Sequence, residues 1–160
     1  MFAMQKRLTN QSPKLFKYLF FSTLTGPFVL DQIFKFLVRK KILGLNTVCN
    51  SGIAFGLQFN HELNRWLIIG SNIMVLAMLV YFISQPKNFL VKKRFNFYFV
   101  LIIISGALSN LLDRLLFGCV LDYLDPKIWP VFNLADAFIT AAAILLIFFN
   151  AFSKSQSKKQ

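Results

Sequence analysis

Acidic residues are scarce in this chain. Six Asp and Glu stand against 18 Lys and Arg in 160 residues, for a net charge of +12. There is one histidine, His61, and no second His or acid lies at ligand spacing, so no metal site is expected. There are two cysteines, Cys49 and Cys119, with no His near either in sequence, which argues against a cysteine nucleophile. Charge itself is absent from long stretches. A basic excess alone could suggest nucleic acid, but basic nucleic-acid binders do not usually carry long charge-free runs, and no nucleic-acid partner is expected.

What is present is apolar surface. Hydrophobic residues make up 56% of the chain and 20 residues are Phe, above the usual apolar share of a soluble domain. Residues 66–85 and 95–112 hold no charged residue, and 131–152 hold only Asp136. At about 1.5 Å rise per residue each is long enough to cross, or nearly cross, a hydrocarbon layer of about 30 Å. Residues 16–38 form a weaker fourth run, interrupted by Lys17, Asp31, Gln32 and Lys35. That run resembles a signal peptide but has no small-x-small cleavage pattern and continues into DQIFK, so it reads as a retained helix. Pro27 inside it is tolerable in a membrane. The expectation is an all-α membrane protein, a single domain over 1–160, with helices at about 16–38, 66–85, 95–115 and 131–152 and a short basic tail, 153–160.

The basic residues sort by side. Lys6, Arg7, Lys14 and Lys17 precede the first helix or open it; Lys87, Lys92, Lys93 and Arg94 lie between the second and third; Lys154, Lys158 and Lys159 close the chain. None of these segments holds an acid. The positive-inside rule then places both termini in the cytoplasm and every carboxylate at or near the outer face. Such lysines hold orientation and touch anionic lipid, and need no chemistry.

The acids are grouped. Asp113, Asp122 and Asp125 fall within SNLLDRLLFGCVLDYLD, residues 109–125, and Asp136 lies 11 positions beyond the last of them. Asp31 and Lys35, four apart, share a helical face and can pair, with Lys35 snorkelling to the interface. Residues 46–59, NTVCNSGIAFGLQF, suit a short strand or turn, where Asn50, Gly52 and Gly56 either shape a turn or let backbone approach a ligand. NLLD at 110–113 and NLAD at 133–136 each set Asn and Asp three apart, with Arg114 beside Asp113 and Pro130 suited to the first turn of the last helix. Each pair alone could cap a helix or join two helices. As a set they cost too much for that, because an ionised Asp in a membrane helix is unfavourable by about 3 kcal/mol. Asp122 and Asp136 make better sense as a pair sharing one proton, able to activate water against a peptide bond. Cys49 and Cys119 both fall on the outer side, where a disulfide and two free thiols are equally open.

In their order, DQIFK, CNSGIAFG, GALSNLLDRLLFGCVLDY and FNLADAF resemble bacterial lipoprotein signal peptidase, the type II signal peptidase, from about residue 16 to 150. The resemblance implies an intramembrane aspartyl protease that cleaves diacylglyceryl-modified prolipoproteins before the lipidated cysteine, without a cofactor. It implies four transmembrane helices with a small extracytoplasmic β-like platform around 40–60, in the bacterial cytoplasmic (inner) membrane, contacting membrane lipids and acting as a monomer. It assigns Asp122 and Asp136 as the catalytic pair. Asn50, Gly52, Asn110, Asp113, Arg114 and Asn133 become substrate-binding or supporting residues, and Asp31 and Lys35 structural polar ones. Ser105, Ser109 and Ile53 depart from the family pattern and bear on how tightly the helices pack.

Two other readings compete. A small ion-coupled transporter would spread its acids through the membrane depth and show repeated halves. A non-catalytic assembly subunit would use the polar residues as interhelical glue and tolerate Asn at 122.

Overall fold

The structure is a computed structural model and describes residues 13–51, 61–84 and 94–157. Gly52, Ile53 and Gly56, most of the basic loop between the second and third helices, and the start of the chain lie outside the described residues.

Four long helices and two short strands succeed one another: α1 (Pro13–Arg39), β1 (Val48–Asn50), α2 (His61–Ser84), α3 (Arg94–Phe117), β2 (Val120–Asp122) and α4 (Leu134–Ser157). α3 packs against each of the other three helices, most extensively against α4 and then α1. α1 and α3 run parallel, because Phe28 meets Ser105 and Arg39 meets Asp113. α4 runs antiparallel to α3: Gly106 lies against Ala135 at one end, and Asn96 bonds Asn150 at the other. β1 and β2 pair antiparallel, Val48 opposite Asp122 and Asn50 opposite Val120.

Burial is inverted relative to a water-soluble bundle. Ile69, Leu76, Val100, Ile104 and Leu111 form an apolar centre. Fully enclosed beside it are Asp31, Lys35, Asn96, Ser105, Ser109, Asp113 and Asn133, each 0% exposed. Large apolar side chains point outward instead: Tyr18 is 72% exposed, Phe36 55% and Ile147 69%. An apolar exterior over a polar interior is what a lipid solvent selects. Phe95–Phe117 and Leu134–Ala151 are long and apolar enough to cross a membrane.

Two expectations need correction. Pro130 is not in the first turn of the last helix, which begins at Leu134. Residues 131–133 are used otherwise: Leu124 and Phe132 pair as an antiparallel bridge, and Asn133 caps the helix. Lys35 does not snorkel outward; at 0% exposure it turns into the bundle, where two carboxylates and an amide receive it.

Candidate active site

The site forms where the N-terminus of α4 meets the far ends of α1 and α3. The first amides of α4 lack helical partners and need outside acceptors. Leu134 N donates to the Tyr123 hydroxyl at 3.3 Å, Ala135 N to Asp31 Oδ1 at 3.0 Å, and Asp136 N to Asn133 Oδ1 at 3.0 Å. Asp136 Oδ2 in turn accepts from Asn133 N at 3.3 Å. Asn133 and Asp136 are thus a reciprocal capping box. NLAD is legible as a cap, and the cap fixes the Asp136 carboxylate at the helix's positive end.

Asn133 also reaches the second acid. Its Nδ2 donates to Asp122 Oδ1 at 2.7 Å, and Asn50 Nδ2 donates to Asp122 Oδ2 at 2.9 Å. This contact depends on the loop 123–132 closing on itself: Leu124 N and Tyr123 N both donate to Phe132 O, and Phe132 N to Leu124 O. Asp122 and Asp136 are therefore held from one asparagine. Burial pushes the Asp122 carboxyl above the ordinary range; the amides of Asn50 and Asn133 pull it back, and the charge of Asp136 adds to the upward push. Asp122 is buried and Asp136 half-buried.

Behind the pair sits a buried charge cluster. Lys35 Nζ lies 2.6 Å from Asp31 Oδ2, 3.0 Å from Asp113 Oδ2 and 2.9 Å from Asn110 Oδ1. Arg39 closes on Asp113 Oδ1 at 2.9 Å. Two cations balance two carboxylates, the condition under which buried charge is tolerable. Asn110 Nδ2 then donates to Asp136 Oδ1 at 2.8 Å, joining the cluster to the site.

Several residues stand differently from the sequence reading. Arg39, and not Arg114, is the residue that pairs with Asp113 alongside Lys35. Arg114 lies within electrostatic reach of Asp136, Asp122 and Asp113, and its Nε has no hydrogen-bond partner among the described residues. Sequence spacing does not bring Arg39, Gln32 or Tyr123 to the site, although Arg39 is one turn beyond Lys35 on the same face. Asp125 stays apart, bonded to Lys127 in an exposed turn. Cys49 and Cys119 form a disulfide. Gly52 lies outside the described residues. An open cleft of about 350 Å³ lined by Val38, Arg39, Lys41 and Leu121 holds neither Asp122 nor Asp136. No group of three or more metal-ligating side chains occurs among the described residues.

An inverted helical bundle with acids gathered at one polar end has the character of a membrane enzyme. The profile of signal peptidase (SPase) II matches residues 23–152. The lipoprotein signal peptidase of Halothermothrix orenii is 37% identical over 134 residues, 76% of this chain and 87% of that protein. That of Caldicellulosiruptor bescii is 38% identical over 136 residues, 78% and 85%. A solved structure described as a bacterial membrane enzyme by the in meso method at 2.3 Å superposes with a TM-score of 0.69 at 25% identity, covering 88% of this chain and 91% of that one. The chain belongs to the signal peptidase II family.

Proposed function

We propose that this chain is an intramembrane aspartyl endopeptidase that removes the signal peptide from diacylglyceryl-modified prolipoproteins, cutting before the lipidated cysteine. Family membership supports prolipoprotein processing. The observation that carries the aspartyl chemistry is the shared hold of Asn133 on Asp122 and Asp136. Two carboxyls so placed resist ionising together, so one is a base while the other keeps its proton.

The ionised carboxylate takes a proton from water as the water oxygen bonds to the scissile carbonyl carbon. The protonated one gives its proton to the carbonyl oxygen, forming a tetrahedral diol. Collapse breaks the C–N bond: the departing amine takes the proton held by one carboxyl while a diol hydroxyl returns its proton to the other, leaving a carboxylic acid and the pair with one proton again. Asn50, Asn110 and Asn133 orient the carboxylates, Gly52 lets substrate backbone approach, and Arg114 offers a cation to substrate carbonyls. Asp113, with Asp31 and Lys35, holds α1, α3 and α4 in register.

The working form is a monomer in the bacterial cytoplasmic membrane. It has four transmembrane helices, both termini in the cytoplasm, and a β-like platform carrying β1 on the outer side. The basic segments and the inverted burial support this orientation. The diacylglyceryl chains lie in the bilayer against the outward Phe and Leu side chains, contributing on the order of 0.8 kcal/mol per buried methylene.

The test is incubation of purified enzyme with a diacylglyceryl-modified prolipoprotein and with its unmodified form, reading the released signal peptide on a gel. Cleavage of the lipidated form alone is expected. Equal cleavage of both would remove the lipid from recognition, and cleavage of neither would remove the activity. A transporter reading finds no support in the family match.

A further inference from the structure

We propose that Cys49 and Cys119 are positioning residues for the Asp122 carboxyl, and that full turnover requires their disulfide; this rests on the peptidase reading above.

The two strands are held very differently. β2 is anchored on both sides: Leu121 N donates to Asp113 Oδ2 at 3.3 Å, and the next residues pair with Phe132. Gly118, at φ +78°, turns the chain sharply out of α3, so that Cys119 sits buried between the helix end and β2. β1 is only three residues long, its Val48 and Cys49 are exposed, and β2 is the element it rests on. A two-stranded ladder that short is marginal by itself.

Yet β1 carries Asn50, whose amide holds Asp122 Oδ2 at 2.9 Å. The Cys49–Cys119 bond crosses the ladder immediately beside that residue, with Cα atoms 5.5 Å apart. It closes 70 residues of separation and ties the exposed strand to the fixed end of α3. Oxidised, β1 presents Asn50 to Asp122 continuously. Reduced, that strand loses its covalent tie to α3 and rests on the three-residue ladder and on Asn50's own contacts. Forming the bond passes two electrons and two protons from the thiols to an oxidant bearing a disulfide, which becomes a dithiol. Cys49 is exposed and accessible to such a reagent.

The experiment compares purified full-length enzyme, oxidised or reduced with a phosphine, on diacylglyceryl-modified prolipoprotein. A maleimide-polyethylene glycol gel shift reports whether the two thiols are free. Reduction is expected to lower kcat about tenfold, the scale of one charge-assisted hydrogen bond, with KM within about twofold. Reoxidation with oxidised glutathione restores it. The C49A/C119A enzyme shows the same loss and no response to phosphine. N50A lowers kcat in the oxidised enzyme but adds little in C49A/C119A, a coupling that general loosening of the fold would not produce.

Equal kcat in the oxidised and reduced enzymes overturns the proposal. So does an N50A effect of the same size in both backgrounds, or free thiols in enzyme isolated from an oxidising compartment. Each of these leaves the peptidase reading intact. Oxidised enzyme that leaves the lipidated substrate whole contradicts both.

Discussion

Lys35 Nζ sits 2.9 Å from Asn110 Oδ1, though the two residues are 75 positions apart on different helices. The same asparagine donates to Asp136, so an enclosed ammonium is one side chain removed from a proposed catalytic carboxylate. The cluster is at once the joint between α1 and α3 and the floor of the site.

Replacing Lys35 by Met leaves Asp31 buried without its ion-pair partner and Asp113 with Arg39 as its remaining salt bridge among the described residues. Breaking such a cluster costs about 3–5 kcal/mol. A clear drop in the thermal unfolding midpoint in detergent is expected, while Asp125→Asn, in its exposed turn, leaves the midpoint where it was. Equal midpoints for Lys35→Met and wild type would show the buried charges to be independent of one another.

Gly106 marks a close approach of α3 to α4. A Cβ there would sit 2.8 Å from Ala135 O and 2.8 Å from Ile139 Cγ1, and Ala135 immediately precedes Asp136. Gly106→Val must push α4 outward at the end that carries the carboxylate. The expected destabilisation is about 1–3 kcal/mol, with a loss of turnover larger than the fold alone explains. Unfolding midpoints and cleavage rates measured on the same preparation check this.

The pH profile tests the amides. Asn50 and Asn133 favour the ionised form of Asp122 by donating to it. Removing a donor from a carboxylate raises its pKa, so in Asn50→Ala the limb of the kcat/KM profile that reports Asp122 moves to higher pH. A limb that stays, or moves lower, contradicts the assignment.

Much of this is legible from residue spacing. Two charge-free runs mark α2 and α3, a run holding only Asp136 marks α4, and the i, i+4 interval pairs Asp31 with Lys35. What spacing does not convey is which distant groups complete each pair. Asp113 takes Arg39 over its sequence neighbour Arg114 because the parallel packing of α1 and α3 brings residue 39 level with 113. The last helix starts later than its composition suggests, since Val131 and Phe132 are as apolar as the helix itself; only the bridge from Leu124 to Phe132 withdraws them from it.

Ser105 and Ser109 put the packing in question when read as departures from the family pattern. In the fold they are fully buried joints: Ser105 Oγ accepts from Phe28 N at 2.9 Å, next to Pro27, and Ser109 Oγ donates to Asp31 at 2.6 Å while accepting from Gln32 at 2.8 Å. The disulfide is undecidable from sequence, since two cysteines 70 residues apart pair only once β1 lies on β2.

The most direct measurement is cleavage of lipidated prolipoprotein by purified Asp122→Asn and Asp136→Asn enzymes that insert and unfold like wild type. Asn keeps the size of Asp but can neither ionise nor carry the proton, so both variants should lose at least about a hundredfold in kcat. Wild-type turnover in either one would mean that the two carboxyls held by Asn133 do not perform the hydrolysis.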